Sequence, residues 1–176
     1  MIKHAMKYGA IIGVIGSVIT ILAYFMGALG STVLSVLSVA ISIGLYIYMV
    51  KYHRDQVLKG VISLKDVVVL VMLVVTFSTF ISTSVNIAHL KLSPSFMKEN
   101  IELAVAAAEK MADLMGLEGS ELDEVINASI EGIKTQGIMT IIQGSIISGL
   151  LGSILGIILG AIFKKKEEVF DNEYDN

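Results

Sequence analysis

Six residues in one apolar stretch have side chains and a spacing that could gather hydrogen-bonding chemistry: Thr76, Thr79, Ser82, Thr83, Asn86 and His89. At about 100° per residue they fall within one arc of a helix. Hydroxyls, an amide and an imidazole on one face offer donors and acceptors without a fixed charge. In the leading reading the arc is structural: the polar groups bond across to neighbouring helices or back to their own i−4 carbonyls, at about 1 kcal/mol per interhelical bond, with His89 in the headgroup zone. In the alternative it is a polar cleft that admits water or a ligand headgroup. Apart from His89, no acidic, basic or histidine side chain lies inside any of the apolar stretches, and proton- or ion-coupled carriers usually need one.

Other chemistry is sparse. There is no cysteine, which removes disulfides, thiolate metal sites and cysteine nucleophiles, and His4, His53 and His89 are too scattered for a metal cage. The chain has no P-loop, no HExxH, no GxSxG elbow and no paired carboxylates within an apolar stretch. No catalytic residue, metal ligand or cofactor is therefore expected, and the chain does not read as an enzyme.

The polar arc must be positioned by long apolar helices. Four stretches, Tyr8–Leu29, Ser31–Val50, Val67–Leu90 and Ile138–Phe163, are each long enough to cross a bilayer core of about 30 Å. With 55% hydrophobic residues, 16% charged residues and a mean hydropathy of +0.79, a soluble domain of this size could not hide its apolar surface. The first stretch has the basic start of a signal peptide but is too long for one and feeds straight into a second span, so it is expected to be retained.

Charge orients the chain. Lys3 and Lys7 precede the first span, Lys51, Arg54, Lys59 and Lys65 separate the second and third, and Lys164, Lys165 and Lys166 follow the fourth. The segment Lys91–Gln136 has four lysines against nine carboxylates. The positive-inside rule then puts both termini and the basic loop in the cytoplasm and the acidic segment outside. The expected architecture is an all-α, four-transmembrane-helix bundle with a two-helix extracytoplasmic insert between spans three and four. Residues 1–90 hold three spans and a cytoplasmic loop at 51–66, 91–136 form the insert, 137–163 the fourth span, and 164–176 a cytoplasmic tail whose acidic end, Glu167–Asn176, is expected to be disordered.

Local signals add detail. The short turn at Gly27–Ser31 predicts a tight antiparallel hairpin of the first two spans. Ser63 and Asp66 read as a capping pair for the third span, and Asp66 is thus a helix-start residue rather than a catalytic acid. Ser93-Pro94 opens an insert helix whose apolar stripe, Met97, Ile101, Ala104, Ala108, Met111 and Met115, ends at Gly116. Ser120 and Asp123 are a second cap signal, leading into Leu122, Val125, Ile126, Ile130 and Ile133. The two insert helices are expected to fold against each other or to cap the bundle.

Small residues mark helix-packing faces, because they let backbones approach closely in lipid. The expected packing residues are Gly9, Gly13 and Gly16 in the first span, a stripe that continues to Thr20 and Gly27. Ser35, Ser38 and Ser42 mark the second span, and Gly149, Gly152, Gly156 and Gly160 the fourth. The last stripe, with overlapping GxxxG steps, suits packing within the bundle first and a homodimer seam second.

Met6-Lys7-Tyr8-Gly9, Tyr52-His53-Arg54-Asp55, Gly60-Val61-Ile62-Ser63-Leu64 and Lys110-Met111-Ala112-Asp113-Leu114-Met115-Gly116 resemble a four-span bacterial family, the domain of unknown function numbered four-one-nine-nine. The resemblance covers nearly the whole chain. It departs at Lys59-Gly60, where a glycine pair is typical, and at Leu64, where an aromatic is common. It implies a bacterial inner-membrane location and an accessory role, and carries no catalytic residue to transfer. The expected function is a scaffold or accessory subunit of a larger envelope or membrane enzyme system, with membrane lipids and a membrane protein or a second copy as partners and no role for nucleic acid. The alternative is a small permease or lipid flippase using the polar arc of the third span.

Overall fold

The computed structural model describes residues 1–164; the side chains of residues 27–32 and 35 are not among those described. The expected tail therefore lies outside the described residues, Lys164 excepted. So do the side chains of the Gly27–Ser31 turn and of Ser35.

The elements are α1 (Ile2–Tyr52), a π-helical turn at His53–Val57, α2 (Leu64–Leu92), α3 (Pro94–Met115), α4 (Ser120–Lys134) and α5 (Ile138–Phe163). Among the described residues four spans are long and apolar enough to cross a membrane: Ile2–Met26 in α1, Val36–Val57 running from α1 through the π-helical turn, then Leu64–Leu92 and Ile138–Phe163. The chain is an all-α, multi-pass membrane protein. Helix α1 contains 51 residues, so a straight rod would hold its ends about 75 Å apart. Instead the His4 and His53 rings lie 5.4 Å apart and those of Tyr8 and Tyr52 6.1 Å apart. The chain must therefore fold back between its two spans.

Helix α2 is the central element, with α1 packed on one side and α5 on the other, while α1 and α5 barely meet. It starts where the sequence predicts: Ser63 Oγ accepts from the Asp66 backbone N–H at 3.1 Å and donates to Asp66 Oδ2 at 2.6 Å. The preceding turn holds Lys59 at φ 54° and Gly60 at φ 96°. The buried core, with Ala5, Tyr8, Tyr46, Met49, Val50, Val67, Leu70, Val71, Val74 and Leu159, gathers at the end of the bundle away from the insert. Toward the insert Val33, Val36 and Val39 of the second span are exposed.

The insert is a helical hairpin whose two helices pack mainly on each other. Ser93 caps α3, its Oγ accepting from Phe96 N–H at 3.3 Å, with Pro94 at the first helical position, and Gly116 ends the helix at φ 70°. Met97, Ile101 and Ala104 are half-buried and Ala108 is buried, whereas Met111 and Met115 at the end of the expected stripe are exposed. The second cap differs from expectation. Gly119 at φ 59° is the N-cap of α4 and Ser120 is already helical, so no side chain caps it. A left-handed glycine turns the chain there without the help of a serine.

Candidate functional site

The approach of the first span to α2 decides where the polar arc is sealed and where it is open. A Cβ added at Gly9 would stand 2.6 Å from Phe77 Cβ and 3.1 Å from the Val74 carbonyl oxygen, and one at Gly13 would stand 2.7 Å from the Ser78 carbonyl oxygen. These two glycines bring helix against helix. At Gly16 nothing lies within 4 Å, which corrects the expectation that it packs. The first span and α2 run in the same direction and diverge beyond Gly13, and the gap they leave is a cavity of about 130 Å³.

Ser17, Thr20 and Ile21 form its wall on the first span, and Ser82, Thr83, Val85, Asn86 and His89 its wall on α2. Four of the six residues of the arc thus meet at one place. The other two do not line the cavity. Thr76 donates to the Met72 carbonyl at 2.9 Å and abuts Gly149 of α5, while Thr79 is half-buried and its carbonyl accepts from Ser82 Oγ at 3.3 Å. The arc is wider than one interhelical groove, so its edge belongs to the α5 contact. Ser17 went unrecognised in the sequence and Thr20 read as a packing residue. The signal was their spacing of three, one helical turn past Gly13 in a span otherwise poor in polar groups.

Much of the cavity's hydrogen-bonding capacity is already committed in one sense. Ser17 Oγ donates to Gly13 O at 2.8 Å, Thr20 Oγ1 to Gly16 O at 3.0 Å and Ser82 Oγ to Thr79 O. Each hydroxyl has spent its proton on its own helix and keeps lone pairs to offer. Asn86 Oδ1 and His89 Nδ1 are buried with no hydrogen-bond partner. Unpaired buried polar atoms are costly, which makes these two the most informative atoms of the site.

The bend at Ser93 closes the insert end. It returns Phe96 over the last turn of α2, where its ring stacks on His89 with centroids 4.0 Å apart and planes 16° from parallel. Tyr24 meets both rings edge-on, 5.8 Å from His89 and 5.0 Å from Phe96, and donates its hydroxyl to Ser95 Oγ at 3.1 Å. This aromatic roof is the main attachment of the insert to the spans. The other wall of α2 is sealed by α5, where Gly149 meets Thr76, Gly152 meets Val75, Gly156 meets Val68 and Gly160 meets Leu64. That whole stripe is used inside one chain. Ser38 and Ser42 are half-buried in the second span, away from the cavity.

At the opposite end, His53 is buried with its ring against that of His4, and its Nδ1 has no partner. Arg54 there pairs with its neighbour Asp55, Nε to Oδ1 at 2.6 Å. Among the described residues no cluster of three or more His, Cys, Asp or Glu could hold a metal ion.

Fold and site together define a four-span helical membrane protein with an uncharged polar cavity between two spans, roofed by a helical insert. The family described as "Protein of unknown function (DUF4199)" matches residues 7–165. The chain belongs to that family. No curated protein and no solved structure matches it.

Proposed function

We propose that the chain is a non-enzymatic accessory subunit of a membrane enzyme or envelope system, held in the bacterial inner membrane with both termini cytoplasmic and the α3–α4 insert outside. One observation carries the reading. Directly beneath the cavity Gly13 is pressed against the Ser78 carbonyl and Ile81, with Gly9 one turn further against Phe77, so the polar surface ends blind. A transport path would need this seal to part and would give up the close van der Waals packing that the glycines allow between the helices. The eight residues lining the cavity include no carboxylate, lysine or arginine to couple an ion or proton. The basic loop and termini support the orientation, and lipids and a larger membrane protein are the partners the reading calls for.

The test is gentle solubilisation of the tagged protein from its native membrane, followed by mass spectrometry of what stays bound. A stoichiometric membrane protein partner supports the reading, and a protein that always runs alone ends it. The unpartnered atoms of Asn86 and His89 favour a second reading, a small permease or lipid flippase. Solute or lipid transport lost in Asn86→Leu and Thr83→Leu, with folding intact, would favour it over the first; transport surviving both changes would remove this cavity from any such path.

A further inference from the structure

We propose that the cavity between the first span and α2 is a binding site for a neutral group bearing several hydroxyls, such as a polyol or sugar headgroup. The inference stands on the cavity alone and holds whether or not the chain is an accessory subunit.

The argument starts from which hydrogen-bonding capacity remains. Ser17, Thr20 and Ser82 donate to carbonyls of their own helices, leaving oxygen lone pairs. Asn86 and His89 stand on the α2 wall, where Asn86 Oδ1 and His89 Nδ1 are buried without partners and come within a ligand's reach only as those side chains turn. The three hydroxyl oxygens face the gap as acceptors, so a ligand that fits them must bring donors. The wall also excludes charge: no lysine or arginine faces the cavity to neutralise an anion, and no carboxylate to neutralise a cation. Placing an uncompensated ion among apolar spans is costly, which leaves O–H groups as the donors. Thr83 Oγ1, which can donate as well as accept, provides for a hydroxyl oxygen in return.

Size and access agree. A volume of 130 Å³ is that of about four water molecules, enough for a glycerol-sized group or for one edge of a sugar ring with its hydroxyls, but not for a whole lipid. Thr20 at the rim is exposed, so the group can enter while whatever carries it stays outside. The same hydroxyls could arrive on a lipid headgroup or on a free polyol, and the cavity admits both.

The experiment uses the full-length protein in phosphatidylcholine nanodiscs doped with glucosyl-diacylglycerol, with phosphatidylethanolamine as the ammonium-bearing control. Native mass spectrometry reads the lipid retained, and thermal unfolding in plain phosphatidylcholine discs with and without glycerol reads the free polyol. Retention of the glycolipid over phosphatidylcholine by about fivefold, the worth of one net hydrogen bond, is expected in the wild type and should fall to parity in Asn86→Leu. Thr20→Val, at the exposed rim, tests the same wall should Asn86→Leu fail to fold. Glycolipid retention without a glycerol effect assigns the hydroxyls to a lipid. A glycerol-induced rise in unfolding temperature that Thr20→Val removes assigns them to a free polyol. Preference for phosphatidylethanolamine, binding of neither probe, or binding unchanged in both variants overturns the proposal.

Discussion

Gly156 lies against the backbone of Val68: a Cβ on the glycine would stand 2.8 Å from Val68 Cα and 3.2 Å from its carbonyl oxygen. Backbone cannot swing aside, so Gly156→Ala must push α5 away from α2 along the seam that joins the fourth span to the third. The expected cost is about 1–3 kcal/mol, as for other overpacked interiors, read by reversible unfolding in detergent. Gly160→Ala is the internal control. There the obstructing atom is Leu64 Cδ1, the end of a side chain that can turn to another rotamer, and the cost should stay below about 1 kcal/mol.

Gly16→Ala should do the reverse. Its added methyl meets nothing within 4 Å, and alanine favours helix over glycine by about 1 kcal/mol. The variant should unfold at the same or a slightly higher temperature. A clear loss of stability would mean that the first span sits closer to α2 at this level than described.

The contrast between two glycines of similar sequence setting shows what a sequence conveys here. Repeats of small residues gave the faces of α1 and α5, and caps at Ser63 and Ser93 gave the starts of α2 and α3, because both depend on spacing along one chain. Which neighbour a face meets depends on how the helices rotate and diverge, and that is fixed by contacts far apart in sequence. Hence Thr76 serves the α5 seam, Gly16 faces open space, and Ser17 forms part of the cavity wall. Phe96 joined the site because the bend at Ser93 folds α3 back over His89, where Tyr24 of the first span also meets the imidazole.

The Lys59-Gly60 turn gives a local test of backbone strain. Gly60 at φ 96° lies where a side chain is strained, and Gly60→Ala should cost about 1–2 kcal/mol. Lys59 at φ 54° already bears a milder form of that strain, so Lys59→Gly should be neutral or stabilising by up to about 1 kcal/mol. Both are measured by chemical unfolding, with circular dichroism confirming the helix content.

Phe96 ties the insert to the spans. It is 5% exposed and stacks on His89, whereas the rest of α3 packs chiefly on α4. Phe96→Ala should therefore loosen the insert without unfolding the bundle. Removing the ring is expected to cost about 3 kcal/mol locally, or roughly 150-fold in the opening equilibrium of the first turns of α3. Hydrogen exchange should rise there and at the end of α2 near His89, while α5 and the core around Val71 keep their protection. Faster exchange throughout would show that the aromatic roof holds the whole bundle together.

The natural absence of cysteine makes the proposed orientation directly measurable. Lys59 on the loop before α2 and Ser120 at the start of α4 are both exposed, and they lie on opposite sides of an apolar helix of 29 residues, long enough to span. Lys59→Cys and Ser120→Cys each introduce one thiol at a site that bears no packing. In intact spheroplasts a membrane-impermeant maleimide should label the cysteine at position 120 and leave that at 59 unlabelled, with both labelled after lysis. The physical reason is the charge difference between the two faces: Lys51, Arg54, Lys59 and Lys65 border one, and the acidic insert occupies the other. Labelling only of position 59 would invert the molecule and place the cavity mouth and its aromatic roof on the cytoplasmic side, where free polyols rather than outer-leaflet headgroups would be the first candidates to fill it.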